Sequence, residues 1–139
     1  KIYQSIYENR SPEQINLLAK ILKNLDYDLD GRLAWFIIDQ KMLIESGAKN
    51  KDVDGFTDFV RTIKGVEVAI MFFEIEKNIF RVNFRSKGQF IINDIAKTIG
   101  GGGHKFAAGA ITEGDSLSVV KDVVDQTRSS ILSQNGKIF

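Results

Sequence analysis

The stretch VNFRSKGQFIINDIAKTIGGGGHKFAAGA, residues 82–110, decides the fold, because strand, helix, glycine run and strand patterns follow one another in it. Its first strand, at residues 79–84 (IFRVNF), alternates apolar with polar residues as a half-buried strand does. A helix follows, predicted from apolar residues at helical spacing: Ile92, Ile95, Ala96 and Ile99. Four glycines end that helix, and the short apolar segment at 106–111 predicts the next strand.

The flanking sequence extends this pattern into an α/β fold. Buried strands are predicted at residues 32–38 (RLAWFII) and 66–75 (VEVAIMFFEI), and the second forms an antiparallel hairpin with residues 79–84. Further helices are predicted at residues 12–26, 40–46, 53–63 and after an Asp115 or Ser116 cap. We therefore expect a mixed β-sheet of about five strands flanked by helices, with an N-terminal linker helix.

Composition excludes several classes of function. The 139 residues are 43% apolar and 27% charged, which is typical of one globular domain. Cysteine is absent and histidine occurs once, so disulfides, thiolate chemistry and histidine-rich metal sites are excluded. No apolar run is long enough to span a bilayer, and we do not expect a membrane partner. The run Asp26-x-Asp28-x-Asp30-Gly31 is similar to a calcium loop, but Ile37 stands where that loop needs glutamate.

Positive charge is concentrated between residues 77 and 105, although the formal net charge of the whole chain is only +1. This window contains six basic residues and one acidic residue, Asp94, which gives it a net charge of +5. Clustered positive charge in a nearly neutral protein is typical of a surface that binds phosphate-bearing ligands.

The glycine run at residues 100–103 lies inside this window. One glycine is enough to end a helix, so the other three indicate close approach of a ligand to bare backbone N–H groups. The alternative is a helix cap followed by a flexible turn. His104 is able to donate to a phosphate or stack on a base, or is a structural histidine. Arg85 ends a strand, where a guanidinium binds phosphate with two N–H groups or is merely solvated. Phe90 and Phe106 are predicted to be core residues, with stacking platforms for a base as the alternative.

Residues 82–110 resemble the C-terminal, DHH-associated substrate-binding domain of the DHH phosphoesterase family. The Phe-Arg-Ser strand end, the Asn-Asp-Ile-Ala-Lys helix and the Gly-Gly-Gly-His-Lys-x-Ala-Ala-Gly run occur in the family's order. The resemblance extends from about Gly31 to Leu132. It is strongest to bacterial members that act as both oligoribonuclease and 3′,5′-bisphosphate nucleotidase, with exopolyphosphatase-related proteins in the same family.

The resemblance implies that two domains share the work of a hydrolase. An N-terminal domain with an Asp-His-His triplet would hold manganese ions that activate water, and the C-terminal domain would bind substrate. This sequence contains no such triplet. We therefore expect residues 1–30 to be a polar arm and linker helix from a missing catalytic domain, and residues 31–139 to be the substrate-binding domain. The fragment alone is then inactive, without a cofactor or metal ligand of its own.

The resemblance also implies the binding residues and partners. The expected ligand is a short RNA or a nucleoside bisphosphate, the expected protein partner is the missing DHH domain, and the expected location is the cytoplasm; a homodimer is left open. The substrate-binding residues implied are Arg85, Ser86, Gly101, Gly102, Gly103, His104 and Lys105. Two alternatives stand beside this hypothesis. One is a stand-alone nucleotide-sensing module, and the other is a structural or dimerisation domain whose glycines only permit tight packing.

Overall fold

The computed structural model describes residues 10–138, so the predicted arm at residues 1–10 lies, apart from Arg10, outside the described residues. Within them the sheet has six strands: β1 (Asp26–Asp28), β2 (Leu33–Ile38), β3 (Val68–Glu76), β4 (Ile79–Ser86), β5 (Gly102–His104) and β6 (Ala107–Glu113). The helices are α1 (Pro12–Lys23), α2 (Gln40–Ser46), α3 (Phe56–Arg61), α4 (Asn93–Thr98) and α5 (Ser116–Ile138). A 3-10 turn at Asn50–Val53 precedes α3. The predicted α/β class is confirmed.

Side-chain caps set the ends of several helices. Ser11 Oγ accepts a hydrogen bond from the Gln14 N–H at 3.0 Å, and Pro12 fills the first helical position of α1, as predicted. Asp115 Oδ1 accepts from the Ser118 N–H at 3.0 Å at the start of α5. Gly47 ends α2 in the left-handed region, with a φ of 76°.

The strand order is β1-β2-β3-β4-β6-β5, and β2 pairs with β3 in parallel while the other pairs are antiparallel. The parallel pair requires a crossover, which α2, the 3-10 turn and α3 provide. The predicted hairpin of β3 and β4 is confirmed. The sheet has six strands where about five were expected, because the three-residue edge strands β1 and β5 have no apolar alternation to reveal them.

The two faces of the sheet are covered to different extents. One face packs against α4 and α5 along most of its width, through buried residues of β2, β3, β4 and β6 that include Ile70, Phe84 and Ala108. The other face packs against α1, α2 and α3, and the strand residues of this core come from β2 and β3 among the residues described. The β6 and β5 strands therefore have one surface without a helical cover, and on β4 this surface borders α3. We call it the open face: Arg81, Asn83, Arg85, Gly102, His104, Ala107, Gly109 and Ile111.

Residues before position 31 belong to the same packed unit as the rest. In α1, Leu17, Leu18 and Ile21 are buried in the second core, and β1 pairs with β2. The predicted origin of this segment in a further domain stays a prediction. Between residues 10 and 138, no helix combines the length and the apolar character needed to cross a membrane.

Of the two phenylalanines predicted for the core, only one is there. Phe90 is completely buried, whereas Phe106 is 39% exposed in the turn between β5 and β6. The expectation for Phe106 was wrong because the β5–β6 turn lies at the sheet edge, outside both cores.

Candidate functional site

Sheet register brings Arg85 and His104 to the same face. Arg85 on β4 pairs with Ala107 on β6, and Ala107 pairs with His104 on β5. Side chains of residues directly opposite each other lie on the same side of a sheet, and two strand spacings separate their backbones by about 10 Å. Only the methyl group of Ala107 stands between them. The Arg85 and His104 side chains therefore start from the same face of the sheet, on either side of Ala107.

Arg85 is held in place by the chain itself. Its Nε donates to Asp58 Oδ1 at 3.1 Å and its Nη1 donates to the Phe84 carbonyl at 2.9 Å. Asp58 also forms an ion pair with Arg61 at 3.5 Å. About a quarter of the Arg85 side chain remains exposed. The guanidinium is thus oriented from two sides while keeping access to solvent.

A second arginine on the open face has a similar arrangement. Arg81 Nη2 lies 3.1 Å from Asp54 Oδ1, and its guanidinium lies over the Phe73 ring at 5.5 Å from the ring centre. Asp54 and Asp58 are four residues apart, and so are Arg81 and Arg85. Two ion pairs in parallel therefore join the α3 segment to β4 at the border of the open face.

His104 lies at the end of a rigid hairpin. It is exposed, and the two-residue turn that follows it is fixed by both of its carbonyl groups. The Lys105 carbonyl accepts from the Ile92 N–H at 2.8 Å, and the Phe106 carbonyl accepts from the Ser86 N–H at 2.9 Å. The turn is thereby tied to the start of α4 and to the end of β4.

Backbone conformation or close packing requires glycine at three of the four consecutive positions. Gly100 has a φ of +90°, in the left-handed region that follows α4. A Cβ on Gly101 would overlap the carbonyl oxygen of Gly109. Gly103 has a φ of +141°, and a Cβ there would lie 2.7 Å from the Ala107 carbonyl oxygen. Close pairing of β5 with β6 therefore explains Gly101 and Gly103, which makes the run a strand edge where a loop was expected.

Gly102 is different from its neighbours. Its φ is outside the left-handed region, and a Cβ built on it meets no atom within 4 Å. It lies on the open face, in register with Gly109 on β6 and Asn83 on β4. Neither backbone strain nor packing requires glycine here. What the missing side chain provides is an uncovered backbone on β5, next to Gly109 and two residues before His104.

The remaining predicted residues lie apart from this pair. Ser86 is 2% exposed and projects from the opposite side of β4, where its Oγ accepts from the Gly88 N–H at 3.2 Å. Its phosphate contact stays a prediction. Lys105 is exposed in the hairpin turn next to His104.

The sequence analysis did not identify Asn83, which lies at the centre of the open face. A Cβ on Gly109 would lie 3.0 Å from Asn83 Oδ1, so the carboxamide leans from β4 over β6. The signal was present in the sequence, since Asn83 occupies the same alternating phase of β4 as Arg81 and Arg85.

Charged groups outside the open face stabilise the fold. The Arg128 guanidinium and the Leu29 N–H lower the pKa of Asp28, and Ser118 lowers the pKa of Asp115 at the α5 cap.

No three histidine, aspartate or glutamate side chains cluster as metal ligands within residues 10–138, so these residues do not fit a manganese site. A groove of about 440 Å³ between α4 and α5 lies on the covered side of the sheet.

The mixed sheet, one half of which carries few side chains on its open face, defines an α/β domain. A sequence model of the DHHA1 domain matches residues 31–130. The chain therefore belongs to the DHHA1 domain family, which confirms the resemblance to the DHH phosphoesterases and their NrnA type.

Two relatives are similar in sequence. The bifunctional oligoribonuclease and PAP phosphatase NrnA of Thermus thermophilus is 30% identical over 108 residues, 78% of this chain and 32% of that protein. The probable bifunctional oligoribonuclease and PAP phosphatase NrnA of Streptococcus mutans is 31% identical over 113 residues, 81% of this chain and 35% of that protein. The chain thus spans about a third of the length of these relatives.

Solved structures agree with the fold. An exopolyphosphatase-related protein from Bacteroides fragilis has a TM-score of 0.81 and 26% identity, covering 90% of this chain and 36% of that one. A pGpG-specific phosphodiesterase from Vibrio cholerae has a TM-score of 0.58 at 14% identity, covering 85% of this chain and 40% of that one. The second likeness concerns the fold alone.

Proposed function

We propose that this chain is the substrate-binding part of a phosphoesterase that hydrolyses short oligoribonucleotides or nucleoside 3′,5′-bisphosphates. On this proposal the open face binds a substrate phosphate through Arg85, His104 and the backbone around Gly102. The chain supplies no catalytic group, and manganese is held by a separate DHH domain of the parent protein. The names of the Thermus and Streptococcus relatives support the substrate class.

The observation that carries the proposal is the absence of a side chain at Gly102. Two neighbours in the run are glycines for reasons of packing, but alanine would fit at Gly102 without strain or collision. A ligand that approaches the bare backbone at Gly102, two residues before His104 on β5, supplies the missing reason. Arginine and histidine are both able to donate to phosphate oxygens, and charge-assisted hydrogen bonds of this kind are the stronger ones.

Titration of the 139-residue chain tests the proposal. Calorimetry with adenylyl-adenosine and with adenosine 3′,5′-bisphosphate is expected to show binding that Arg85→Ala weakens about tenfold or more, since a charge-assisted contact is lost. His104→Ala is expected to weaken binding in the same direction. Arg32→Ala is the matched control, because it removes one guanidinium at the start of β2, and it is expected to leave affinity unchanged.

Two outcomes would contradict the proposal. Affinities that Arg85→Ala and His104→Ala leave unchanged would favour the structural or dimerisation alternative. Hydrolysis of either ligand by the purified chain, with or without added manganese, would refute the assignment of catalysis to another domain.

A further inference from the structure

We propose that Asn83 recognises the ribose 2′-hydroxyl next to the phosphate bound by Arg85, and so makes the open face selective for RNA over DNA. This inference rests on the proposed function and adds a specificity residue to it. Two observations support the inference: the position of the Asn83 carboxamide in the sheet, and the absence of a hydrogen bond to it from residues 10–138.

Asn83 stands in a row with two residues that have no side chain. It pairs with Gly109 on β6, which pairs with Gly102 on β5. Its Oδ1 lies 3.0 Å from the position that a Cβ on Gly109 would occupy, so the carboxamide lies over Gly109 of β6. Any side chain at Gly109 would block that position. The carboxamide therefore faces the bare row beside the Arg85–His104 pair.

The carboxamide has no partner within the part of the chain described, residues 10–138, since no hydrogen bond joins it to another residue there. It is half-buried, and asparagine is disfavoured in strands compared with β-branched residues. Because the carboxamide is half-buried, water or a ligand is able to reach it and complete its hydrogen bonds. A residue that is unfavourable for its secondary structure and makes no compensating contact is typical of a functional position.

The spacing on β4 fits a sugar. Asn83 and Arg85 lie on the same face two residues apart, which is about 7 Å along a strand. A ribose attached to the phosphate at Arg85 would therefore lie beside Asn83, over the bare row. A carboxamide offers both a donor and an acceptor, and the 2′-hydroxyl is both donor and acceptor as well. A deoxyribose presents neither.

Paired titrations test the inference. The chain and its Asn83→Ala variant are titrated with adenylyl-adenosine and with its 2′-deoxy counterpart, which has the same bases and phosphate. The unmodified chain is expected to bind the ribose form about threefold to tenfold more tightly, the value of one net hydrogen bond. Asn83→Ala is expected to remove that preference while leaving affinity for the deoxy form unchanged. Asn50→Ala, an exposed asparagine in the 3-10 turn, is the control.

The outcomes separate this inference from the proposed function. If Asn83→Ala lowered the affinity for both ligands equally, the sugar contact would be overturned and a base or phosphate contact indicated. Equal affinity of the unmodified chain for both ligands would overturn it too. In each case binding that still depends on Arg85 leaves the proposed function intact. If neither dinucleotide binds, this inference is overturned, and the proposed function is decided by the titration with adenosine 3′,5′-bisphosphate.

A stability measurement provides a second readout. Asn83→Thr replaces the unpartnered carboxamide by a β-branched residue suited to a strand. The melting temperature is expected to stay level or rise while the preference for ribose disappears. A marked fall in melting temperature would show that Asn83 is needed for packing, which would overturn the inference.

Discussion

Asp58 Oδ1 accepts a hydrogen bond from Arg85 Nε at 3.1 Å, so the guanidinium proposed to bind phosphate already has a carboxylate neighbour. The contact has two opposite effects. It orients the guanidinium together with the Phe84 carbonyl, and it places a negative charge, itself about half exposed, where an anion approaches. The two effects are separable, because asparagine keeps the acceptor oxygen and removes the charge.

Asp58→Asn removes a negative charge that repels the ligand, so it is expected to strengthen binding of adenosine 3′,5′-bisphosphate. The expected gain is only about twofold to fivefold at low salt, because interactions between exposed charges contribute little. The gain should shrink as ionic strength rises. Titrations at two salt concentrations measure it. Asp26→Asn on β1, at the opposite edge of the sheet, is the control for the change of charge. Weaker binding by Asp58→Asn would mean that the charge of Asp58 supports the site.

Gly102→Ala and Gly103→Ala form a matched pair that separates ligand contact from packing. Alanine at position 103 meets a φ of +141° and the Ala107 carbonyl, so the free energy of unfolding should fall by about 1–3 kcal/mol. Alanine at position 102 should leave the free energy of unfolding unchanged or raise it by about 0.4–1 kcal/mol. Gly102→Ala should nevertheless weaken dinucleotide binding. Urea unfolding and calorimetry measure the two effects, and full affinity in Gly102→Ala would remove the main support for the proposed function.

Phe84 and Phe106 should respond differently to truncation, although both are large aromatic residues near the candidate site. Phe84 is fully buried in the core beneath β4, so Phe84→Ala should lower the free energy of unfolding by about 3–5 kcal/mol. Phe106→Ala should lower it by about 1 kcal/mol or less, because the side chain is 39% exposed. Urea unfolding compares them. Similar losses would contradict the placement of the β5–β6 turn outside the core.

Acid should destabilise the chain partly through Asp28. The side-chain hydrogen bond from Arg128, followed by the bond from the Leu29 N–H, lowers the pKa of Asp28 in the folded state. A lowered folded pKa stabilises the protein above the unfolded pKa of about 4, and this contribution disappears as the pH falls through the folded value.

Arg128→Gln should accordingly reduce the melting temperature at pH 7, and the difference from the unmodified chain should narrow as the pH approaches 3. Melting curves between pH 3 and pH 7 measure it. Arg32→Gln is the control for loss of one guanidinium. A difference that stays constant over this range would show that Arg128 acts through packing.

Local sequence signals predicted the elements that depend on local chemistry. The Ser11-Pro12 cap, the period of α4 and the alternation along β4 each determine their own segment, and all three are confirmed. Edge strands depend on a partner. Gly102–His104 becomes β5 only because β6 offers it a register, and a run of glycines has no periodicity that indicates a strand.

The candidate site was predictable in composition but not in arrangement. Arg85 and His104 were identified from charge and glycine context, and register then determines that they share a face. The same alternation puts Ser86 on the other side of β4 from Arg85, which adjacency in the sequence conceals. Asn83 was missed because a lone asparagine in a strand has meaning only once its neighbours Gly109 and Gly102 are known.

The hairpin turn after His104 also affects how a ligand would associate. Both of its carbonyls are anchored, to the N–H groups of Ile92 and Ser86, so the backbone next to the imidazole is preorganised. A nucleotide docking there would immobilise little of the protein, and the entropic penalty of binding would fall mainly on the flexible ligand. Shortening or cyclising the nucleotide, rather than stiffening the protein, is then the more effective way to tighten the complex.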